Sequence, residues 1–197
     1  FDFTKQNYAL IFIHTGGSHI NLTDDYAAIP KEMKEVAAEL GKQYCSEVNH
    51  NSFLDNMGRL RNKLSDRSIL RAYHFFKENE RVIKQINALN ENRFKKFLLL
   101  VKESGDSSFK YLQNIYSSKD ICYQPLSIAL ALTEDFINQI GEGACRVHGG
   151  GFEGTIQVFL AKSYVHDFKK YINNISDTFK ILDLSIRQTG TTEVSFV

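Results

Sequence analysis

Gly143-Ala144-Cys145-Arg146-Val147-His148-Gly149-Gly150-Gly151-Phe152-Glu153-Gly154-Thr155-Ile156-Gln157-Val158-Phe159-Leu160 is the stretch that decides the fold. Four glycines fall within the six positions 149–154, between two apolar runs. Such backbone turns tightly, or comes close to a ligand where a Cβ would not fit. The plainer alternative is a glycine-rich hairpin with no ligand. Thr155, Ile156, Val158 and Phe159 follow the loop and are strand formers. The loop therefore joins two strands.

That placement excludes several phosphate loops. Gly149, Gly151 and Gly154 satisfy G-x-G-x-x-G, but a dinucleotide-binding loop must open a helix and offer its N-terminus to the pyrophosphate. A protein kinase needs a strand lysine, a catalytic aspartate and D-F-G downstream, and none occurs after residue 154. No Gly-Lys-Ser/Thr follows either, so the Walker pattern fails.

Outward from the loop, the apolar run Tyr8–Ile13 reads as a buried strand, broken by Thr15-Gly16-Gly17-Ser18. Pro30 suits a first helical turn; Met33, Val36, Ala37 and Leu40 carry that helix to Gly41. Ser65 or Asp66 caps a long helix with Ile69, Ala72, Tyr73, Phe76, Ile83 and Ile86 on one face. Phe94–Val101 forms another, Gly105-Asp106-Ser107-Ser108 a break, and Leu126–Ile140 a further helix ending at Gly141. After the hairpin, the apolar positions Val165 to Phe179 describe a last helix. Ile181–Ile186 alternates as a strand, and Thr192–Phe196 is a further strand candidate. The expected class is α+β: a βαββαβ, ferredoxin-like split βαβ sandwich with inserted helices and an antiparallel sheet covered on one face.

Composition excludes other classes. The 197 residues make one domain, or one domain with an insertion. A net charge of +1 gives no argument for nucleic acid or a membrane surface. Cys45, Cys122 and Cys145 are odd in number and widely spaced, which fits a reducing cytoplasm and neither a zinc site nor a disulfide framework. No apolar run approaches the ~18–20 residues of a membrane span. The six histidines form no metal set; His74 reads as a hydrogen-bonded packing residue. His148 reads as structural, with contact to the loop backbone or to a phosphate as its alternative. Lys31, Glu32, Lys34 and Glu35 read as a solvated helix face.

The segment Gly143–Thr155 resembles the third signature of the GHMP small-molecule kinases in its galactokinase form, roughly G-A-R-M-T-G-G-G-F-G-G. Val147-His148 and Glu153 stand where methionine-threonine and glycine are usual. Asn7–Tyr26 is similar to the family's strand, its T-G-x-S-H turn and a tyrosine about seven residues later. Arg71-Ala72-Tyr73-His74, with Glu78 and Arg81, resembles the family's R-A-x-H…E-x-x-R helix. Three segments in the right order span almost the whole chain.

The resemblance implies a GHMP kinase C-terminal domain over residues 1–197. Its first strand and turn would occupy 1–22, a helical region 23–140, and the glycine hairpin, helix and last strands 141–197. It implies the C-terminal half of a galactokinase, which phosphorylates galactose with ATP to galactose 1-phosphate. The alternatives are a sugar-sensing relative without turnover and a GHMP kinase for a related sugar. The family's G-E-H-x-D-Y core, its P-x-x-x-G-L-S-S-S loop and its catalytic aspartate are not in this sequence. The expectation is therefore a piece whose N-terminal nucleotide and sugar domain lies outside it, with the Mg²⁺ ligands and the base. No catalytic residue and no metal ligand is assigned here, and the chain alone is expected to be inactive.

Within it, Gly149, Gly150, Gly151, Phe152 and Gly154 would border the phosphates, with Glu153 turned away from them. Tyr26 would place its ring or hydroxyl against galactose; its alternative is packing on Ile29 and Met33. The implied cofactors are ATP and Mg²⁺. The partners are galactose and the N-terminal domain, with no nucleic acid and no membrane, in a cytoplasmic monomer.

Overall fold

A computed structural model gives the fold and describes residues 1–16, 22–152 and 154–186. Four strands form one antiparallel sheet: β1 (Tyr8–His14), β2 (Ala144–His148), β3 (Thr155–Ala161) and β4 (Lys180–Leu184). Their order is β2-β3-β1-β4. The register runs Tyr8↔Ala161 to His14↔Thr155, Ala144↔Phe159 to His148↔Thr155, and Leu10↔Leu184 to His14↔Lys180. With β1 and β3 at the centre, this is the split βαβ arrangement expected of the sequence. The strand candidate Thr192–Phe196 lies outside the described residues.

Seven α-helices accompany the sheet in the described residues. They are α1 (Thr23–Glu39), α2 (His50–Asp55), α3 (Met57–Arg61), α4 (Asp66–Asn90), α5 (Phe94–Ser107), α6 (Pro125–Ile140) and α7 (Val165–Ile175). None is long and apolar enough to cross a membrane. Ser65 caps α4 as expected, its hydroxyl accepting from the Ser68 amide. The short helices α2 and α3 had no periodic signal. They complete a separate core of Val36, Ala37, Phe53, Leu60, Ile69, Ala72 and Phe76.

Period-two alternation sorts the sheet side chains. Ile11, Ile13, Cys145, Val147, Ile156, Val158 and Leu160 face α6 and α7, packing with Leu126, Leu130, Phe136, Phe168 and Ile172. The opposite parity carries Tyr8, Leu10, Ala144 and Phe159, which pack under α5 with Phe94, Phe97 and Val101. Helices thus lie on both faces, not one. This is why β1 reads as a nearly continuous apolar run.

Other expectations fail for identifiable reasons. Pro30 sits well inside α1, not in its first turn; the first turn carries Asp24 and Asp25, suited to the positive helix N-terminus. Proline at 30 cannot donate to the Tyr26 carbonyl. Gly105 does not break α5. It lets the helix approach β2, because a Cβ there would stand 3.0 Å from the Arg146 Cβ and 3.2 Å from the Cys145 oxygen. The chain then continues through a π turn, Ser108–Leu112, to Gln113 at φ 56°. The last helix stops at Ile175, and Phe179 enters the core from the following loop. Glu32 is buried, not on a solvated face: its carboxylate takes Arg71 at 2.9 Å and Arg67 through two nitrogens.

Candidate functional site

Three segments distant in sequence meet at the glycine loop: the entrance of α1, the strap 113–119 that follows the π turn, and the loop itself. The loop begins where β2 ends. Gly149 has φ +67°, Gly151 φ +83° and Phe152 φ +60°. Gly151 is held by proximity as well as dihedral, since a Cβ would lie 1.9 Å from the Asn114 carbonyl oxygen. That oxygen accepts the Phe152 amide. The Asn114 Nδ2 donates to the Gly150 carbonyl at 3.2 Å.

Tyr26, three residues into α1, lies across the loop. A Cβ on Gly150 would meet its Cε1 at 2.5 Å, so only glycine lets the ring seat there. Its hydroxyl donates to the Gly151 carbonyl at 3.0 Å. Its ring meets Phe152 edge to face, with centroids 5.2 Å apart. The structure therefore brings Tyr26, Gly150, Gly151 and Phe152 into one constellation. At the far end, both the Thr15 amide and its hydroxyl donate to the Gly154 carbonyl, at 2.8 and 2.9 Å. Thr15 directly follows β1, so strand β1 is tied to the loop as well. Glu153 and residues 17–21, which include Ser18 and His19, lie outside the described residues.

The helix α4 fixes the strap. Arg71, 2% exposed, donates to the Leu112 carbonyl at 3.1 Å and to Glu32. It thereby anchors the last π-turn residue to α1. Further along, Ser117 donates to Asp25 at 2.8 Å and Lys119 to Asp24 at 2.7 Å. The Lys119 hydrogen bond, with the charge of Lys119 behind it, pulls the Asp24 carboxyl below its ordinary range. In the R-A-x-H…E-x-x-R helix, Arg71, His74, Glu78 and Arg81 all have partners within the chain. His74 shares a hydrogen with Ser107 at 2.9 Å, and burial holds its pKa below the usual histidine value. Glu78 joins Arg81, Ser104 and Arg146.

His148 is on the α5 face of the sheet. Its Nδ1 lies 3.1 Å from the Gln157 side chain and its ring 4.3 Å from that of Phe12. Beside the loop, Asp25, Arg67, Arg71, Gln113, Tyr116 and Phe152 line a cavity of about 140 Å³. Ligand sites usually measure roughly 300–1,000 Å³, so this cavity alone is a partial wall. Among the described residues, no group of three or more His, Cys, Asp or Glu could hold a metal ion. The sequence reading missed Asn114, the tie from Thr15 to Gly154 and the Glu32–Arg71 pair. Asn114 carries no periodic signal, and an acidic residue on a charged helix gives no sign of being buried.

No family model matches the chain. It is similar to the galactokinase of Glaesserella parasuis serovar 5, with 24% identity over 192 residues, 98% of this chain and 45% of that protein. It is 29% identical over 178 residues to the galactokinase of Thermotoga neapolitana, again covering 45% of its length. Among solved structures, the Lactococcus lactis galactokinase complexed with galactose superimposes with a TM-score of 0.67 at 18% identity, over 90% of this chain and 45% of that one. The chain thus spans about half the length of the curated relatives it matches. It is similar in sequence to these galactokinases across nearly its own full length, and it shares the fold of the matching half of the Lactococcus lactis structure.

Proposed function

We propose that residues 1–197 form the C-terminal half of a sugar kinase of the galactokinase type, which transfers the γ-phosphoryl group of ATP to the anomeric hydroxyl of galactose. The observation that carries this reading is the Tyr26–glycine-loop constellation, in a chain similar in sequence to galactokinases over nearly its whole length. Phosphoryl transfer rests on positioning and charge neutralisation. Here Tyr26 would contact the sugar, and Gly149, Gly150, Gly151, Phe152 and Gly154 would border the phosphates. The helical region 23–140 would serve to hold the strap and Tyr26 against that loop.

The geometry refines the role of Tyr26. Its single hydroxyl hydrogen goes to Gly151, since a carbonyl oxygen can only accept. The phenol oxygen would therefore accept from a sugar hydroxyl. Donating to Gly151 strengthens it as an acceptor.

ATP would bind with Mg²⁺, which supplies charge neutralisation at the phosphates. Its ligands, the nucleotide loop and the proton acceptor would come from an N-terminal half outside residues 1–197. We place the protein in the cytoplasm as a monomer, without nucleic-acid or membrane partners. The test is a coupled ADP-release assay with ATP, Mg²⁺ and galactose. The full gene product should turn over, and residues 1–197 alone should not. Turnover by the 197-residue chain, or none by an intact folded gene product, would reject the assignment.

A further inference from the structure

Asn114 grips the loop from both its backbone and its side chain. Its carbonyl oxygen accepts the Phe152 amide and fills the space a Gly151 Cβ would need. Its Nδ2 donates to the Gly150 carbonyl at 3.2 Å. The residue is 2% exposed, and its Oδ1 is buried with no hydrogen-bond partner. A buried polar atom left unsatisfied costs stability, so an apolar side chain of the same shape would hold the strap more cheaply. The amide cannot turn over to relieve this. Exchange of Nδ2 and Oδ1 would set two acceptor oxygens against each other at Gly150. Gln113 at φ 56° orients the strap for this grip, and Arg71 on the Leu112 carbonyl anchors the segment just before it.

We propose that Asn114 is a positioning residue for the glycine loop: its carboxamide sets the direction of the Gly150 peptide, and with it the face the loop turns toward the phosphates. The part about phosphates rests on the kinase reading; the part about the loop does not. The donor on Nδ2 is the functional group, and the orphaned Oδ1 is the consequence of keeping it there.

Two measurements separate the parts. In the 197-residue chain, Asn114→Leu should leave the melting temperature unchanged or raise it, while amide hydrogen exchange at Gly149–Gly151 accelerates about tenfold or more. Unchanged loop exchange, or a melting temperature that falls sharply, makes Asn114 an ordinary packing residue and overturns the proposal.

In the full gene product, the same variant should raise the KM for ATP about tenfold, with the KM for galactose within about twofold of the original. A KM for ATP that stays within twofold overturns the phosphate-facing part. Asn114→Asp adds a readout that packing alone would not move. A protonated carboxyl can donate to Gly150 and an ionised one cannot. Its KM for ATP, normalised to the parent protein at each pH, should therefore rise as pH rises; a flat ratio counts against the donor role. Absence of turnover in the unsubstituted gene product would count against the kinase reading alone, leaving the exchange experiment to decide the role of Asn114.

Discussion

The Tyr26 hydroxyl donates to the Gly151 carbonyl oxygen at 3.0 Å, across 125 residues of sequence. This one contact joins the start of α1 to the glycine loop, and so joins the proposed sugar side of the site to the proposed phosphate side. Tyr26→Phe removes it while keeping the ring on Gly150 and Phe152. The expected loss is about 1 kcal/mol, or roughly a fivefold rise in the KM for galactose in the gene product. Tyr26→Ala also removes the ring and should cost more. A KM for galactose unchanged in both variants would reject the sugar contact.

The loop glycines should differ sharply from one another. Gly151→Ala places a Cβ against main-chain atoms of Asn114 at φ +83°, so the loop or strap must move, at an expected cost of about 3 kcal/mol or more. Gly149→Ala meets nothing within 4 Å and carries only the strain of φ +67°, about 1 kcal/mol. Gly150→Ala collides with the Tyr26 ring, which can swing away, so its effect should resemble loss of Tyr26 more than loss of the fold. Urea unfolding gives the first two values. Equal costs at 149 and 151 would mean that Asn114 does not confine the loop.

Glu32 neutralises Arg71, whose side chain is 3% exposed. Glu32→Gln leaves that guanidinium buried with a weaker partner and should destabilise the chain by about 3 kcal/mol. Lys31→Ala, one residue away on the exposed face, should stay within about 0.5 kcal/mol. Chemical denaturation distinguishes the two, and similar small effects would contradict the buried pair.

Burial lowers the pKa of His74 below the ordinary histidine value near 6.5, and Arg146 and Arg81 lower it further against the opposing pull of Glu78. The native state thus favours the neutral ring, and the unfolded chain takes up a proton first on acidification. The contribution of His74 is fully present above pH about 6.5 and is lost as pH falls toward the native pKa. Melting temperature should drop between about pH 7 and 5, and His74→Gln should flatten part of that slope. An identical slope in the variant would place the pH sensitivity elsewhere.

The architecture was legible where side-chain period tracked burial. Tyr8–Ile13, the glycine hairpin and the helix ending at Gly141 all carry local signals, and β1, β2, β3 and α6 follow them. The departures arise where tertiary packing overrides a local rule. Gly105 reads as a breaker but serves the close approach of α5 to β2. Pro30 reads as a first-turn residue but lies inside α1. Glu32 reads as solvated because nothing local announces Arg71, 39 residues away. At the site, the glycine cluster and Tyr26 stand out by composition and resemblance. Asn114 does not, because its meaning lies in a carbonyl of the loop it touches across 36 residues.

The central claim is that Tyr26 and the glycine loop form one wall facing sugar and phosphates together. Its most direct test is a crystal structure of the full gene product with galactose and a non-hydrolysable ATP analogue. A sugar hydroxyl should donate to the Tyr26 oxygen at about 2.7 Å, with the bond to Gly151 intact and the phosphates along Gly149–Gly151. Galactose and phosphates bound away from both Tyr26 and the loop would contradict the account.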